Sequence, residues 1–143
     1  MIYKHSKEGF LNITNSAKYK PADEIEAKQY LSASVAAMYE GANHQFAKYY
    51  TIQEDEKVLV TIMLQRDGKL VYFVTTSFTS DYMYKVIRAV RELADTTVQG
   101  AGPITTTTAD FYKEALQFNR IVGFKILEVH LGHTVWVYDN GWE

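Results

Sequence analysis

The clearest pattern of apolar and polar positions lies in the middle of the chain. From Val58 to Gln65, Val58, Val60, Ile62 and Leu64 point to one side of a strand and Leu59 and Met63 to the other. Apolar residues on both sides predict a strand covered on both faces. Arg66-Asp67-Gly68-Lys69 follows, and an Asp-Gly pair between two strand-like runs predicts a tight hairpin. Leu70–Thr76 is the returning strand. Upstream, Gln45–Gln53 is rich in aromatic and β-branched residues, and the charged run Glu54–Lys57 turns it into the next strand. Three antiparallel strands in sequence are therefore predicted.

Helical periodicity brackets this meander. Pro21 suits the first turn of a helix, where its missing N–H has no partner to lose. Asp23, Glu24 and Glu26 crowd the same end and favour the helix dipole. That helix is predicted to run to Gly41, with Leu31, Val35 and Met38 as its stripe. Its small residues Ser32, Ala33, Ser34, Ala36 and Ala37 would let it approach a sheet closely. After the meander, Tyr82, Val86, Ala89, Val90 and Leu93 form the inner face of a second amphipathic helix. Lys85, Arg88, Arg91 and Glu92 lie outside. This helix is expected to begin at Asp81, as N-cap, and to end near Ala94. Asp95–Gly102 then reads as loop, ending in Gly100-Ala101-Gly102-Pro103.

Downstream, Ile104–Thr107 is a β-branched strand. A helix from about Ala109 to Val122 has Phe111, Ala115, Phe118 and Val122 on its apolar face. Thr108 is its expected N-cap, and Gly123 supplies the left-handed stop. Phe124–Leu131 and Thr134–Tyr138 make a closing hairpin about Gly132-His133. At the other end, Met1–His5 reads as a short strand and Phe10–Thr14 as another.

Composition narrows the picture. At 143 residues the chain is expected to form one domain, spanning residues 1–143, with a sizeable core. A net charge of -2 gives no strongly cationic field, so broad nucleic-acid binding is not expected. The absence of cysteine removes disulfides, thiol nucleophiles and thiolate metal sites. No apolar run suits a membrane span or a secretion signal. Eleven tyrosines suit half-buried sheets and protein interfaces. His130 and His133 flank a turn, but no third ligand accompanies them and no metal site is expected. Asn12-Ile13-Thr14 matches a glycosylation sequon and, without a secretion signal, is read as coincidence.

The segment Ala115–Phe124, AxxFNRIVGF, resembles the AxxFYxxxGF signature of the GNAT acetyltransferases. The resemblance implies an α+β fold layered α/β/α. Its mixed, mostly antiparallel central sheet would have about six or seven strands, with helices on both faces. It also implies that the helix before Gly123 lies along an acyl-CoA arm. Two departures stand out. The family has a tyrosine four residues before the glycine, whose phenol protonates the departing thiolate. Here that position is Asn119, whose carboxamide gives up no proton near neutral pH. Tyr112 lies two turns earlier, and the role is not transferred to it. The family also places a glycine-rich loop after its fourth strand, where successive N–H groups cradle the cofactor's diphosphate. The corresponding stretch, Thr75–Leu93, has no glycine.

The stretch Tyr72–Val90, YFVTTSFTSDYMYKVIRAV, resembles the strand-to-helix junction of the reduced GNAT-like internal virion proteins of short-tailed bacteriophages. That resemblance implies a virion or assembly component in the host cytoplasm or the particle. Its partners would be proteins, among them phage structural proteins, and it would need no cofactor. The alternative is an acetyl-CoA-dependent N-acetyltransferase acting on a primary amine. A backbone N–H near Val74, Thr75 and Thr76 would then steady the oxyanion. Ser77, Thr79, Ser80 and Lys85 would hold the diphosphate, with Arg88 assisting.

Overall fold

The computed structural model describes residues 1–31 and 33–139. Among them are seven strands and five α-helices, an α+β arrangement with a four-stranded sheet ordered β1-β2-β3-β4 and a three-stranded sheet ordered β5-β7-β6. The chain divides into two compact units, one built from residues 1–66 and 71–83, the other from 67–70 and 84 onward.

The first unit opens with β1 (Ile2–His5), which pairs antiparallel with β2 (Lys48–Glu54). Between them lie α1 (Lys7–Ser16), α2 (Pro21–Leu31) and α3 (Val35–Gly41). Helix α1 replaces the strand predicted at Phe10–Thr14. The Ser6 hydroxyl accepts from the Gly9 N–H at 3.1 Å and nucleates the turn. Phe10 and Thr14, four apart, then share the buried side. Five residues of apparent alternation were too few to separate the two periods.

The single helix predicted from Pro21 to Gly41 is also two. Ser34 caps α3 by accepting from Ala37 N–H at 3.1 Å, and the Glu24 carboxylate accepts the Val35 N–H at 2.8 Å. Ser32, among the small residues predicted to ease packing, lies outside the described residues, as does the side chain of Leu31.

The meander forms as predicted. β3 (Lys57–Leu64) pairs antiparallel with β2, and everything from Leu59 to Leu64 is buried. Asp55 and Glu56, both at positive φ (51° and 62°), make the turn before it. That is the primed geometry that matches strand twist. β4 (Leu70–Val74) returns beside β3. Phe10, Tyr39, Tyr49 and Phe73 are central to the core, with Phe10 edge-on to Tyr39 at 4.9 Å. Two phenols enter this core and are satisfied there. Tyr39 donates to the Thr61 carbonyl at 3.0 Å, and Tyr19 lies 2.9 Å from the Thr61 hydroxyl.

In the second unit, α4 (Met83–Ala101) runs a full two turns past the predicted end at Ala94. Ala94 and Val98 continue the buried stripe of Val86, Ala89 and Val90. The helix stops at Gly102, φ 95°, whose N–H donates to the Val98 carbonyl at 3.0 Å. Gly100 therefore lies inside the helix and not in a loop. Gly68 is at φ 88°, and a Cβ there would sit 2.8 Å from the Pro103 carbonyl oxygen, so the hairpin requires glycine.

β5 (Ile104–Ala109), α5 (Lys113–Val122), β6 (Lys125–His130) and β7 (His133–Tyr138) complete the unit, with β7 antiparallel to both neighbours. Thr108 does not cap α5. It is buried in β5 and accepts the Trp136 indole N–H at 2.8 Å. A buried indole needs an acceptor, and that demand outweighed the cap. Tyr112 takes the N-cap position without a side-chain capping bond to the helix, and Phe111, predicted inside, is exposed. Gly123 ends α5 at φ 121° as predicted.

Candidate functional site

The end of β4 and the turn that follows it form the stretch where chemistry was expected. Along a strand, successive residues aim their N–H and C=O groups at opposite edges. Thr75 aims inward: its N–H donates to the Leu59 carbonyl on β3 at 2.9 Å. Val74 and Thr76 therefore address the edge away from β3. That edge is occupied by the chain itself. Lys20 N–H donates to the Val74 carbonyl at 3.0 Å, and Thr76 N–H to the Lys18 carbonyl at 2.8 Å, an antiparallel bridge centred on Tyr19 and Thr75.

The donors beyond are used as well. Ser77 N–H reaches the Thr75 hydroxyl at 3.2 Å, and Phe78 N–H reaches the Thr75 carbonyl at 3.1 Å. The Thr75 hydroxyl donates in turn to the Val58 carbonyl at 2.6 Å. Four consecutive backbone N–H groups, Thr75 to Phe78, thus end on acceptors within the first unit.

The cover is firmly seated. Tyr19 is buried and hydrogen-bonded to Thr61, and burial pushes its phenol pKa well up. The Lys20 ammonium stands 5.1 Å from the ring centre of Phe78, itself buried, at a distance suited to cation–π attraction. Sequence reasoning missed this segment. A signal was present: Lys20 precedes Pro21, and a residue before proline is driven to extended backbone.

Of the remaining candidates, Thr79 and Ser80 are exposed and Ser77 is half-buried. Asp81 is not the N-cap predicted for it. It lies inside a 3₁₀ turn, Ser80–Tyr82, whose N-cap position is Thr79 with no side-chain bond. Tyr82 N–H donates to the Thr79 carbonyl at 3.0 Å, and Met83 N–H to the Ser80 carbonyl. Lys85 and Arg88 are exposed on α4 in the second unit, where Arg88 stands 5.7 Å from the ring centre of Tyr84.

Asn119, also in the second unit, is fully buried on α5. Its backbone carbonyl accepts from both Gly123 N–H (3.1 Å) and Phe124 N–H (2.9 Å), closing the helix end. Arg91 reinforces that end by donating to the carbonyls of Ile121 and Val122 at 2.7 and 3.1 Å. His130 and His133 stack at 4.8 Å. Among the described residues no group of three or more His, Cys, Asp or Glu could hold a metal ion. No helix there is long and apolar enough to cross a membrane.

No protein-family model matches the sequence, and no curated protein does either. Solved structures do match the backbone. The GNAT domain of S. lividans PAT superposes with a TM-score of 0.71 at 9% identity, covering 96% of this chain and 89% of that one. The fold is that of the GNAT acetyltransferases. Aminoglycoside 6'-acetyltransferase type Ii shares it with a TM-score of 0.66 at 15% identity, over 97% of this chain and 96% of that one. PaiA N-acetyltransferase from Thermoplasma acidophilum, solved in complex with coenzyme A, gives 0.65 at 12% identity over 97% and 98%. The α+β GNAT fold implied by Ala115–Phe124 is therefore the fold observed. At these identities the likeness speaks for architecture.

Proposed function

We propose that this chain is a GNAT-fold protein with a degenerate acyl-CoA site that works through protein contacts, as a virion-associated or assembly component of a bacteriophage. The observation that carries the first part is the engagement of the Thr75–Phe78 N–H groups, two edges of one strand end satisfied from within. A thioester cofactor needs backbone donors that await it. An N–H already bonded inside the protein offers it little, because exchange of one hydrogen bond for another nets little energy. The residues present do not fit the cofactor. Asn119 supports the same reading, since a buried carboxamide supplies no proton to a leaving thiolate. The phage assignment rests on the resemblance of Tyr72–Val90 to internal virion proteins.

The acetyltransferase reading keeps one observation in its favour, the exposed hydroxyl residues Thr79 and Ser80 beyond the strand end. It requires Lys18–Lys20 to leave the edge of β4 before Val74 and Thr76 can meet a ligand.

Thermal unfolding with and without acetyl-CoA separates the two. A ligand at a hundred times its dissociation constant adds about 2.7 kcal/mol to the folded state. No change in melting temperature is expected. An upward shift accompanied by acyl transfer to an amine overturns the degenerate-site reading. Peptides of the chain are expected in purified virions by mass spectrometry, and their absence from the particle removes the virion role.

A further inference from the structure

We infer that the first sheet carries a docking surface for an acidic protein segment, built from Lys4, Phe46, Lys48 and Arg66. The inference rests on the reading that this chain works through protein contacts, and it names the chemistry of the contact. All four residues lie in the first unit. The strand register sets the surface out. Tyr49 stands opposite Met63, and both belong to the core built with α1, α2 and α3. Successive residues of a strand face opposite sides, so Lys48 and Tyr50 point away from that core. Lys4 on β1 stands opposite Tyr50 and shares its side. Lys4 and Lys48 are exposed, and Tyr50 is half-buried. Among the described residues no ion pair holds Lys4, Lys48 or Arg66.

Phe46 and Arg66 extend this strand pair. Lys48 opposite Leu64 is the last step of the ladder between β2 and β3, and Phe46 and Arg66 lie two residues beyond it on either side. The Arg66 guanidinium stands 4.9 Å from the centre of the Phe46 ring. That ring is 70% exposed, and its residue is held at φ 57°. Left-handed backbone is costly for a bulky residue and open to glycine. The turn is nevertheless fixed. Ala47 N–H donates to the His44 carbonyl at 3.2 Å, Gln45 N–H donates to the Asn43 side-chain oxygen at 3.0 Å, and the His44 ring lies 2.7 Å from the Tyr49 hydroxyl. Backbone strain persists where its surroundings over-determine it, and such residues cluster at sites that grip a ligand. Aromatic rings and arginines are also the side chains that dominate binding at protein interfaces.

Charge decides the occupant. A guanidinium lying over a ring keeps the N–H groups along its edge for a carboxylate, which it grips through two parallel bonds. Lys4 and Lys48 add two more cations, neither held by a carboxylate of the described chain. The partner is therefore a segment with several carboxylates and an apolar side chain to lie against the exposed part of Phe46. Nucleic acid fits less well. Its affinity grows with the number of phosphates neutralised, and three cations on a chain of net charge -2 neutralise few.

Fluorescence anisotropy with a labelled oligo-glutamate peptide carrying a central phenylalanine reads the result. The wild type is expected to bind it at least about tenfold more tightly than Arg66→Glu, Lys48→Glu or Phe46→Gly. The glycine variant relieves the backbone while removing the ring, so its loss of binding cannot come from a strained turn. All three positions are exposed, and circular dichroism should show unchanged folds. Lys113→Glu, the same charge reversal on α5, should leave binding as it is. A wild type that does not bind the peptide overturns the surface. So does indifference to the three variants, or an equal loss with Lys113→Glu. Tighter binding of an oligothymidylate of equal charge overturns it too and makes nucleic acid the occupant. If the chain is found in purified virions while the three variants bind the peptide unchanged, the virion role stands and this surface falls.

Discussion

Trp136→Ala is expected to destabilise the protein by about 3–5 kcal/mol, the range for removing a large aromatic from a core. Against a total stability of about 5–15 kcal/mol, such a loss is a large share of the whole. The indole is 1% exposed and lies in register between Thr106 on β5 and Ile126 on β6. Its N–H is also the partner of the buried Thr108 hydroxyl. Truncation therefore opens a cavity and orphans a polar atom in the same place. Trp136→Phe separates the two costs. It keeps most of the ring but removes the N–H, and should cost about 1–3 kcal/mol from the unsatisfied hydroxyl and the smaller ring. Urea unfolding followed by circular dichroism gives both values. A loss below about 1 kcal/mol for the alanine variant would mean that the indole does not anchor the sheet.

Stability should also fall steeply above about pH 10, where an unfolded phenol begins to lose its proton. Among the described residues six tyrosines resist that loss in the folded state, Tyr39, Tyr19 and Tyr138 most strongly. Burial raises Tyr39 well above its ordinary range, and burial raises Tyr19 in the same core. In the second unit, burial and then the hydrogen bond to the Asp95 carboxylate lift Tyr138 to about 12. A raised folded value means that the folded protein holds more protons than the unfolded chain. The stabilisation is whole below pH 10 and drains away as the pH climbs through the folded values. Each such tyrosine contributes a slope of about 1.4 kcal/mol per pH unit. Denaturant unfolding at a series of alkaline pH values measures the slope, and Tyr39→Phe should remove one tyrosine's share. A flat profile between about pH 10 and 12 would contradict the buried placement of these phenols.

The elements that could be read from the sequence are those whose signals are local. The strand Val58–Gln65, the Asp67-Gly68 turn and the stop at Gly123 each carry their cause within a few residues. The elements misread depended on partners far along the chain. Thr108 is an excellent cap by residue type, but Trp136 claims its hydroxyl. Gly100 punctuates like a loop, yet Val98 extends the buried stripe and carries α4 past it. Phe10–Thr14 alternates over too short a window to reveal its helical period. At the candidate site, the absent glycines and Asn119 were plain in the sequence. The satisfaction of Val74 and Thr76 by Lys18 and Lys20 was not, because a backbone hydrogen bond between distant segments leaves almost no mark on side-chain identity.

The burial of Asn119 bears on whether a proton donor can be placed at that position. The amide sits at 0% exposure, closed in on the helix that its own carbonyl helps to end. A phenol is bulkier than a carboxamide, so at a position with no exposure neighbouring side chains would have to move aside, at a typical penalty of about 1–3 kcal/mol. Asn119→Tyr would thus be penalised in stability before it could yield any turnover.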